Sequence, residues 1–361
     1  MKRKKRFSLI FLGALAMILM AGCSKNGPEI PDEDAWVHDL SLPVPIQFGS
    51  GLPVTKASGF EDPSDLDGII IGVWGLAKNE GAVWGKDMSE DVILNNKAGA
   101  ITDGSIELDG GPYYYPRVSE KNFTFYGYYP KKTPTTVEDG SLYVEVSLGH
   151  TDIVWAKSEA KGNGYNAKYL RDIRTHKEDD VTPVFNFEHV TAGLKFNAVA
   201  NLDGGAHKDD DFTTTKIKKV RVLNVPLSGM LCVASQTNPE LEGTITQLGS
   251  ISNIKLDEID EAVGKSPTEH GTELGELFLY PDSESDGFDV EVTVGTKAWG
   301  DYVYKFNTGK LSPKTKYTFN LLFNYEDPVK IKVGTLTWTE GTKDKTIDMS
   351  EDGTSGESPD A

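Results

Sequence analysis

Cysteine is almost absent from this chain of 361 residues. Only Cys23 and Cys232 occur, and they lie far apart in the sequence. A structural zinc site needs about four ligands, most of them Cys or His. We therefore expect neither such a site nor a framework of disulfides. Cys232 lies in the apolar segment GMLCVAS, where we expect a small buried side chain.

Positive charge is scarce as well. The chain has 37 Lys and Arg against 55 Asp and Glu, which is a formal net charge of -18. Five of the basic residues lie in residues 1–22, which contain no acid. An acidic surface repels phosphate groups. We therefore expect no nucleic-acid partner and no attachment to anionic membranes through a basic surface.

Motifs of catalysis and metal binding are missing. None of the six histidines forms H-E-x-x-H, and neither G-x-S-x-G nor a Walker A loop occurs. DSESDG at 282–287 begins like an EF-hand loop, but its twelfth position is Thr293 instead of Glu. We interpret this stretch and residues 209–211 as solvated loops. The sequence thus predicts no enzyme, metal or cofactor, although a β-sandwich hydrolase with carboxylates from distant strands stays an alternative.

The N-terminus carries an export signal. MKRKKR is followed by FSLIFLGALAMILM, an uncharged apolar run of 14 residues. A membrane span needs about 20, so we interpret residues 1–22 as a secretory signal peptide. Ala21-Gly22-Cys23 resembles the bacterial lipobox, which predicts lipidation at Cys23 and anchoring in a membrane. Residues 23–43 are polar and contain three prolines, which is typical of a tether.

Alternation of apolar and polar residues dominates after residue 44. Examples are Val290-x-Val292-x-Val294 and the run of Tyr, Phe, Leu and Phe at every second position from 317 to 323. This period puts one side of each strand in a core. Because the runs are short and broken by Gly, Pro, Asn and Asp, they predict antiparallel β-sandwiches. We predict an all-β fold with bodies at 44–180 and 181–349, divided in the charged stretch RTHKEDD, and a disordered tail at 350–361.

Seven segments follow one another along the chain: PIQFGSGLPVTKASGF, IIIGVWGLAK, NFTFYGYYP, DIVWAKS, VTPVFNFEHVTAGLKFNAV, LSPKTKYTFNLLF and TLTWTEG. Together and in this order they resemble the fimbrillin family, pilin-like lipoproteins of Bacteroidetes. The resemblance implies two tandem transthyretin-like antiparallel β-sandwich domains, and assembly into type V pili with other pilus subunits. It also implies lipoprotein export to the outer membrane, proteolytic removal of the first strand, and donor-strand exchange at the cell surface.

The resemblance places a removable strand near residue 46. Ile46 and Phe48 alternate around Gln47, so we predict that they plug a groove until the strand leaves. The predicted cleavage lies between Lys56 and Ala57, in a Gly- and Pro-flanked stretch. The best-known family members have Arg where this chain has Lys56, and an uncut turn stays an alternative. The donor strand would come from residues 329–338, unless these form the last strand of their own sandwich.

Aromatic residues suggest a second function. Tyr113, Tyr114 and Tyr115 are consecutive in GGPYYYPR, so they cannot all face one core. An exposed member of this cluster could stack on a sugar ring, which makes a host protein or a glycan a further candidate partner. The alternative reading of the whole chain is therefore a monomeric surface lipoprotein that binds glycans. We expect the other aromatic residues to pack within the cores, and His189 to bond to a nearby acid or backbone group.

Overall fold

The structure is a computed structural model, and β-strands make up most of it. The all-β class predicted from the sequence is confirmed. Within the described residues, no helix is long and apolar enough to cross a membrane. The structure describes residues 35–51, 63–84, 88–117, 121–133, 135–160, 164–175, 182–200, 216–256, 259, 261–262, 272–281, 286–296, 300–323, 330–337 and 345–348.

The described chain contains two short α-helices and many strands. The helices are α1 (Ala35–His38) and α2 (Ala167–Thr175), and single 3-10 turns lie at Pro63–Leu66 and Pro239–Leu241. The strands are β1 (Phe48–Gly51), β2 (Ile70–Ala77), β3 (Val92–Thr102), β4 (Ser105–Leu108), β5 (Phe123–Tyr129), β6 (Thr135–Glu138), β7 (Ser141–Ser147), β8 (Val154–Ser158), β9 (Val184–Asn186), β10 (Glu188–His189), β11 (Ala192–Ala200), β12 (Lys216–Pro226), β13 (Ser228–Ser235), β14 (Ile245–Thr246), β15 (Ile251–Lys255), β16 (Glu261–Ala262), β17 (Thr272–Leu279), β18 (Asp289–Thr296), β19 (Gly300–Asn307), β20 (Thr315–Phe323), β21 (Lys330–Thr337) and β22 (Lys345–Asp348).

The strands form four sheets. Sheet A has eight strands in the order β10-β8-β5-β2-β3-β4-β1-β9, and sheet B has the order β14-β13-β7-β6. Sheet C has the order β17-β11-β20-β21-β22, and sheet D has the order β15-β12-β18-β19, with β16 also paired to β12. Two described pairs, β1–β9 and β11–β20, are parallel, whereas the sequence predicted antiparallel pairing throughout. Both parallel pairs join strands that are distant in sequence, so no hairpin fixes their direction.

Burial follows the predicted alternation where one sheet face is covered. In β18 the side chains of Val290, Val292 and Val294 are buried, and Glu291 between them is only partly so. In β2, by contrast, every residue from 71 to 77 is buried. Neighbouring structure covers both faces of this strand, so alternation is lost there.

Two hydrophobic cores organise the described residues. Core 1 is formed by buried side chains between residues 36 and 190 together with Leu231, Val233, Ala234 and Ile245. Core 2 is formed by buried side chains between residues 192 and 321, outside the β13–β14 region. β9, β10, β13 and β14 follow the boundary predicted at 174–180, and they pair with strands of sheets A and B. The domain boundary itself stays a prediction. Local charge marks a loop and carries no information on which sheet a distant strand joins.

Candidate functional site: the N-terminal strand and its groove

The first strand lies inside sheet A and is paired on both of its sides. β1 runs antiparallel to β4, with Phe48 opposite Ile106. On its other side β1 runs parallel to β9, with Gly49 opposite Val184. Removing β1 would therefore leave β4 unpaired on one side and would take from β9 its only strand partner among the described residues. Unpaired backbone groups of this kind can bind another strand.

Backbone hydrogen bonds continue from β1 into the residues just before it. The amide of Ile46 donates to the carbonyl of Tyr113 at 2.8 Å, and the amide of Tyr115 donates to the carbonyl of Val44 at 3.0 Å. Farther along, the amide of Phe187 donates to the carbonyl of Gly51 at 2.9 Å. The strand-like segment 44–51 is thus held on both sides by groups from the rest of the protein.

Alternate side chains of this segment enter core 1. Val44, Ile46 and Phe48 are buried, whereas Gln47 is exposed. The ring of Phe48 lies edge-on to Phe125 at 4.8 Å between centroids. It also stacks on Phe185 at 5.0 Å. Ile46 and Phe48, the residues predicted to act as a plug, are therefore buried in core 1 among side chains of other strands.

The predicted processing sites lie outside the described residues. Described structure ends at Gly51 and resumes at Pro63, so it omits Lys56 and Ala57. Cys23, residues 1–22 and the tail at 350–361 also lie outside it, as do residues 209–211 and 282–285. Lipidation, cleavage and disorder at these positions stay predictions.

The predicted tether contains structure that the sequence analysis missed. Residues 35–38 form α1, and Trp36 and Val37 are buried in core 1. The guanidinium of Arg171 on α2 contacts backbone carbonyls that follow, including that of Asp39 at 3.0 Å and that of Leu42 at 2.6 Å. An apolar pair within a polar stretch was the available signal for α1, whereas nothing in the sequence marked Arg171.

The three consecutive tyrosines have different environments. Tyr113 is half-buried, donates its hydroxyl to the carbonyl of Asp109 at 2.9 Å, and has the ammonium of Lys97 at 5.1 Å from its ring centroid. Tyr114 is 45% exposed, whereas Tyr115 is 2% exposed. Burial raises the pKa of the Tyr115 hydroxyl well above its usual value. Tyr114 is thus the most accessible of the three, and stacking on a sugar stays a prediction.

His189 and Cys232, for which the sequence predicts structural roles, are both buried. His189 Nδ1 lies 2.7 Å from Asp152 Oδ2, and the Thr191 hydroxyl donates to Asp152 Oδ1 at 3.1 Å. Cys232 is buried in β13, and burial raises the pKa of its thiol to about 12. No group of three or more His, Cys, Asp or Glu side chains within the described residues could hold a metal ion. His189 therefore has the structural environment expected from the sequence.

Comparison with known proteins identifies the family. The chain belongs to the fimbrillin-like family, whose model matches residues 66–339. No curated protein matches the chain in sequence. A candidate cell adhesion protein from Bacteroides uniformis has a similar fold, with a TM-score of 0.53 at 19% identity, covering 83% of this chain and 99% of that one.

Two further solved structures resemble the chain. One is a candidate cell adhesion protein from Bacteroides ovatus, with 18% identity, a TM-score of 0.48, and coverage of 86% of this chain and 99% of that one. The other is a fimbrial protein from Bacteroides vulgatus, with 12% identity, a TM-score of 0.49, and coverage of 81% of this chain and 99% of that one.

Proposed function

We propose that this chain is a pilus subunit that is exported as a lipoprotein and assembled by donor-strand exchange. In this proposal Cys23 carries the lipid that anchors the unprocessed chain in the outer membrane. A protease then cuts between Lys56 and Ala57, and the segment that contains β1 leaves. The processed chain joins other pilus subunits in a fimbrium, and the protein carries out no catalysis.

The placement of β1 is the observation that carries the proposal. β1 is an inner strand of sheet A, and it is joined to β2 by a connection that contains Lys56. A single cut in that connection would turn a covalent part of the sheet into a bound peptide. Loss of the peptide would leave unpaired groups on β4 and β9 beside an apolar groove. A strand from another subunit with apolar side chains at alternate positions would pair with these backbone groups and fill the groove.

A C-terminal segment is the donor that the pairing favours. β21 is hydrogen-bonded to β20 on one side and to β22 on the other, so its release would break two ladders. Among the described strands, β22 pairs with β21 alone, at the end of sheet C. Withdrawing β22 would break one ladder. We therefore favour residues around β22 as the donor over residues 329–338, which belong mostly to β21.

The experiment is to prevent the cut and follow assembly on native cells. The Lys56→Ala variant is compared with wild type and with Lys219→Ala, which removes a lysine from an exposed position on β12. We expect surface protein of the wild type and of Lys219→Ala to begin at Ala57 and to run as detergent-resistant ladders in unheated gels. Lys56→Ala should accumulate as a cell-bound monomer. Wild-type surface protein that begins only at Cys23, or ladders of undiminished strength in Lys56→Ala, would contradict the proposal.

A further inference from the structure

The segment before β1 is attached to the rest of the protein at a second place. α1 has only four residues, and a helix of one turn is not stable by itself. Its last carbonyls have no partner within the helix. Packing of Trp36 and Val37 into core 1 and polar contacts from α2 must therefore hold it. This attachment is separate from the pairing of β1 in sheet A.

Arg171 supplies most of those polar contacts. Its Nη1 donates to the carbonyls of Trp36 and Asp39, the latter at 3.0 Å, and its Nη2 donates to the carbonyl of Leu42 at 2.6 Å. Arg117 adds a contact to the carbonyl of Ser41. A hydrogen bond within the same segment stabilises the turn after α1: the Asp39 carboxylate accepts the Ser41 amide at 2.8 Å.

Arg171 itself stands on an element that would stay behind after the cut. α2 begins next to Asn166, whose side-chain oxygen accepts the amide of Tyr169 at 2.8 Å, a normal N-terminal cap. Ala167 and Leu170 of the same helix are buried in core 1. The cation is therefore fixed to the body, and every carbonyl that it binds belongs to the segment that is proposed to leave.

We propose that Arg171 is a latch that retains residues 35–51 after cleavage and thereby sets the rate at which the groove opens. This inference rests on the proposed function. A guanidinium has five donors in a planar fork, so one side chain can hold carbonyls of three residues at once. Cleavage then yields a nicked subunit whose groove is still filled. The groove becomes accessible only when the latch and the β1 pairing are both broken.

A release assay tests the latch directly. Expressed without its signal peptide, the unlipidated chain of residues 23–361 has two thiols, and Cys232 is buried, so a maleimide dye labels Cys23 selectively. Every labelled variant also carries Lys25→Ala, so that trypsin cannot separate the dye from residues 35–51. The protein is nicked by brief trypsin treatment, and mass spectrometry verifies the cut after Lys56. Excess unlabelled peptide of residues 35–51 prevents rebinding. Release of the labelled fragment is then followed by size-exclusion chromatography.

The variants separate the latch from general destabilisation. We expect the fragment of Arg171→Ala to leave at least ten times faster than that of wild type. Arg171→Lys should be intermediate, because a single ammonium nitrogen replaces the two guanidinium nitrogens that bind these carbonyls. Lys168→Ala is the matched control, since it removes an exposed cation from the same helix. Its release should equal that of wild type. Arg117→Ala, which loses one carbonyl contact, provides a second graded variant should Arg171→Ala fail to fold.

The outcomes distinguish the two proposals. Equal release rates for wild type, Arg171→Lys and Arg117→Ala would overturn the latch, as would release from Lys168→Ala as fast as from Arg171→Ala. Neither result bears on whether subunits exchange strands. Native surface protein that keeps its N-terminal segment would instead contradict the proposed function, although the nicked protein could still show a latch in the test tube.

Discussion

Phe48 joins three parts of core 1 through one ring. It lies against Phe125 of β5 and Phe185 of β9, and it is itself part of β1. Aromatic pairs at these distances add to the stabilisation that comes from burial alone. Phe48 is 4% exposed, so truncation of its side chain would leave a buried cavity rather than a depression open to water. Phe48 therefore contributes much of the packing that holds β1, the strand that is proposed to leave, in core 1.

The Phe48→Ala variant should be markedly less stable than wild type. We expect the free energy of unfolding of core 1 to fall by about 4 kcal/mol, from lost burial and from the cavity. Urea denaturation followed by tryptophan fluorescence measures it. The control is Val83→Ala at a side chain that is 70% exposed, with an expected change within about 0.5 kcal/mol. Equal losses in the two variants would show that Phe48 does not fill the groove.

Glu242 shows how a single carboxylate can fasten two sheets. Its side chain is 3% exposed and lies 3.3 Å from Lys78 and 3.2 Å from Lys157. It also accepts the hydroxyl of Tyr126 at 2.9 Å and the amide of Ser235 at 3.1 Å. The residue follows β13 of sheet B, and its three side-chain partners belong to or adjoin strands of sheet A. Burial lowers the pKa of Lys78 and raises that of Tyr126.

At the scale of elements, sheet C carries a buried ion pair on the face away from core 2. Lys316 of β20 contacts Glu276 of β17, and the two side chains are 2% and 12% exposed. Lys195 and Glu273 lie nearby on β11 and β17 and pair at 2.7 Å. Burial raises the pKa of Glu276 above its ordinary value of about 4.5, and the charge of Lys316 offsets only part of this effect.

The raised pKa of Glu276 predicts how stability depends on pH. The folded state holds the proton of the Glu276 carboxyl more tightly than the unfolded state does. The stabilisation that this proton gives the folded state is therefore fully present below about pH 4.5, and it is lost as pH rises through the pKa of the folded state. We expect the free energy of unfolding of wild type minus that of Glu276→Gln to fall between pH 4.5 and neutrality. Denaturation at several pH values measures the difference. Glu273→Gln, at a 55% exposed carboxylate, is the control and should not reproduce this fall.

At the scale of the whole molecule, one glycine lies where the two cores meet. Gly149 exchanges two backbone hydrogen bonds with Phe278, at 2.8 and 2.6 Å. The preceding Leu148 belongs to core 1, and Ile254 of core 2 lies over Gly149. A Cβ at this position would come within 1.9 Å of the Ile254 side chain. The close approach of the two bodies therefore requires glycine here.

The Gly149→Ala variant tests this junction. Its backbone φ is +119°, so alanine brings conformational strain as well as the clash with Ile254. Gly81→Ala is the matched control, because its φ is +78° and no atom lies within 4 Å of the added Cβ. We expect the control to lose about 1 kcal/mol and Gly149→Ala about 2 kcal/mol more. Thermal melts of both variants give the comparison, and equal melting temperatures would argue against close packing at the junction.

Features that depend on a few adjacent residues could be predicted from the sequence. The alternation of Ile46 and Phe48 around Gln47 indicated a strand with one apolar side, and in the structure Ile46 and Phe48 are buried whereas Gln47 is exposed. The alternation of Val290, Val292 and Val294 likewise predicted a strand, which forms as β18. Each of these signals is local, because side-chain direction in a strand or helix follows from backbone period alone.

Features that depend on distant contacts could not be predicted in this way. Residues 35–38 were assigned to a tether because their neighbours in the sequence are polar, whereas Trp36 and Val37 pack into core 1. β13 and β14 follow the boundary predicted at 174–180, yet their buried side chains return to core 1. Arg171 lies 129 residues from Leu42, and local sequence patterns do not predict a hydrogen bond over such a separation.

The amino-acid sequence by itself determined that this protein is built from strands, that it is acidic, and that Ile46 and Phe48 share one apolar side of a strand. These properties follow from composition and from the two-residue period of an extended chain. Only the tertiary structure decided that β1 lies between β4 and β9, and that a cation on α2 holds the residues before it. Those placements depend on which surfaces remain open once the other strands have packed.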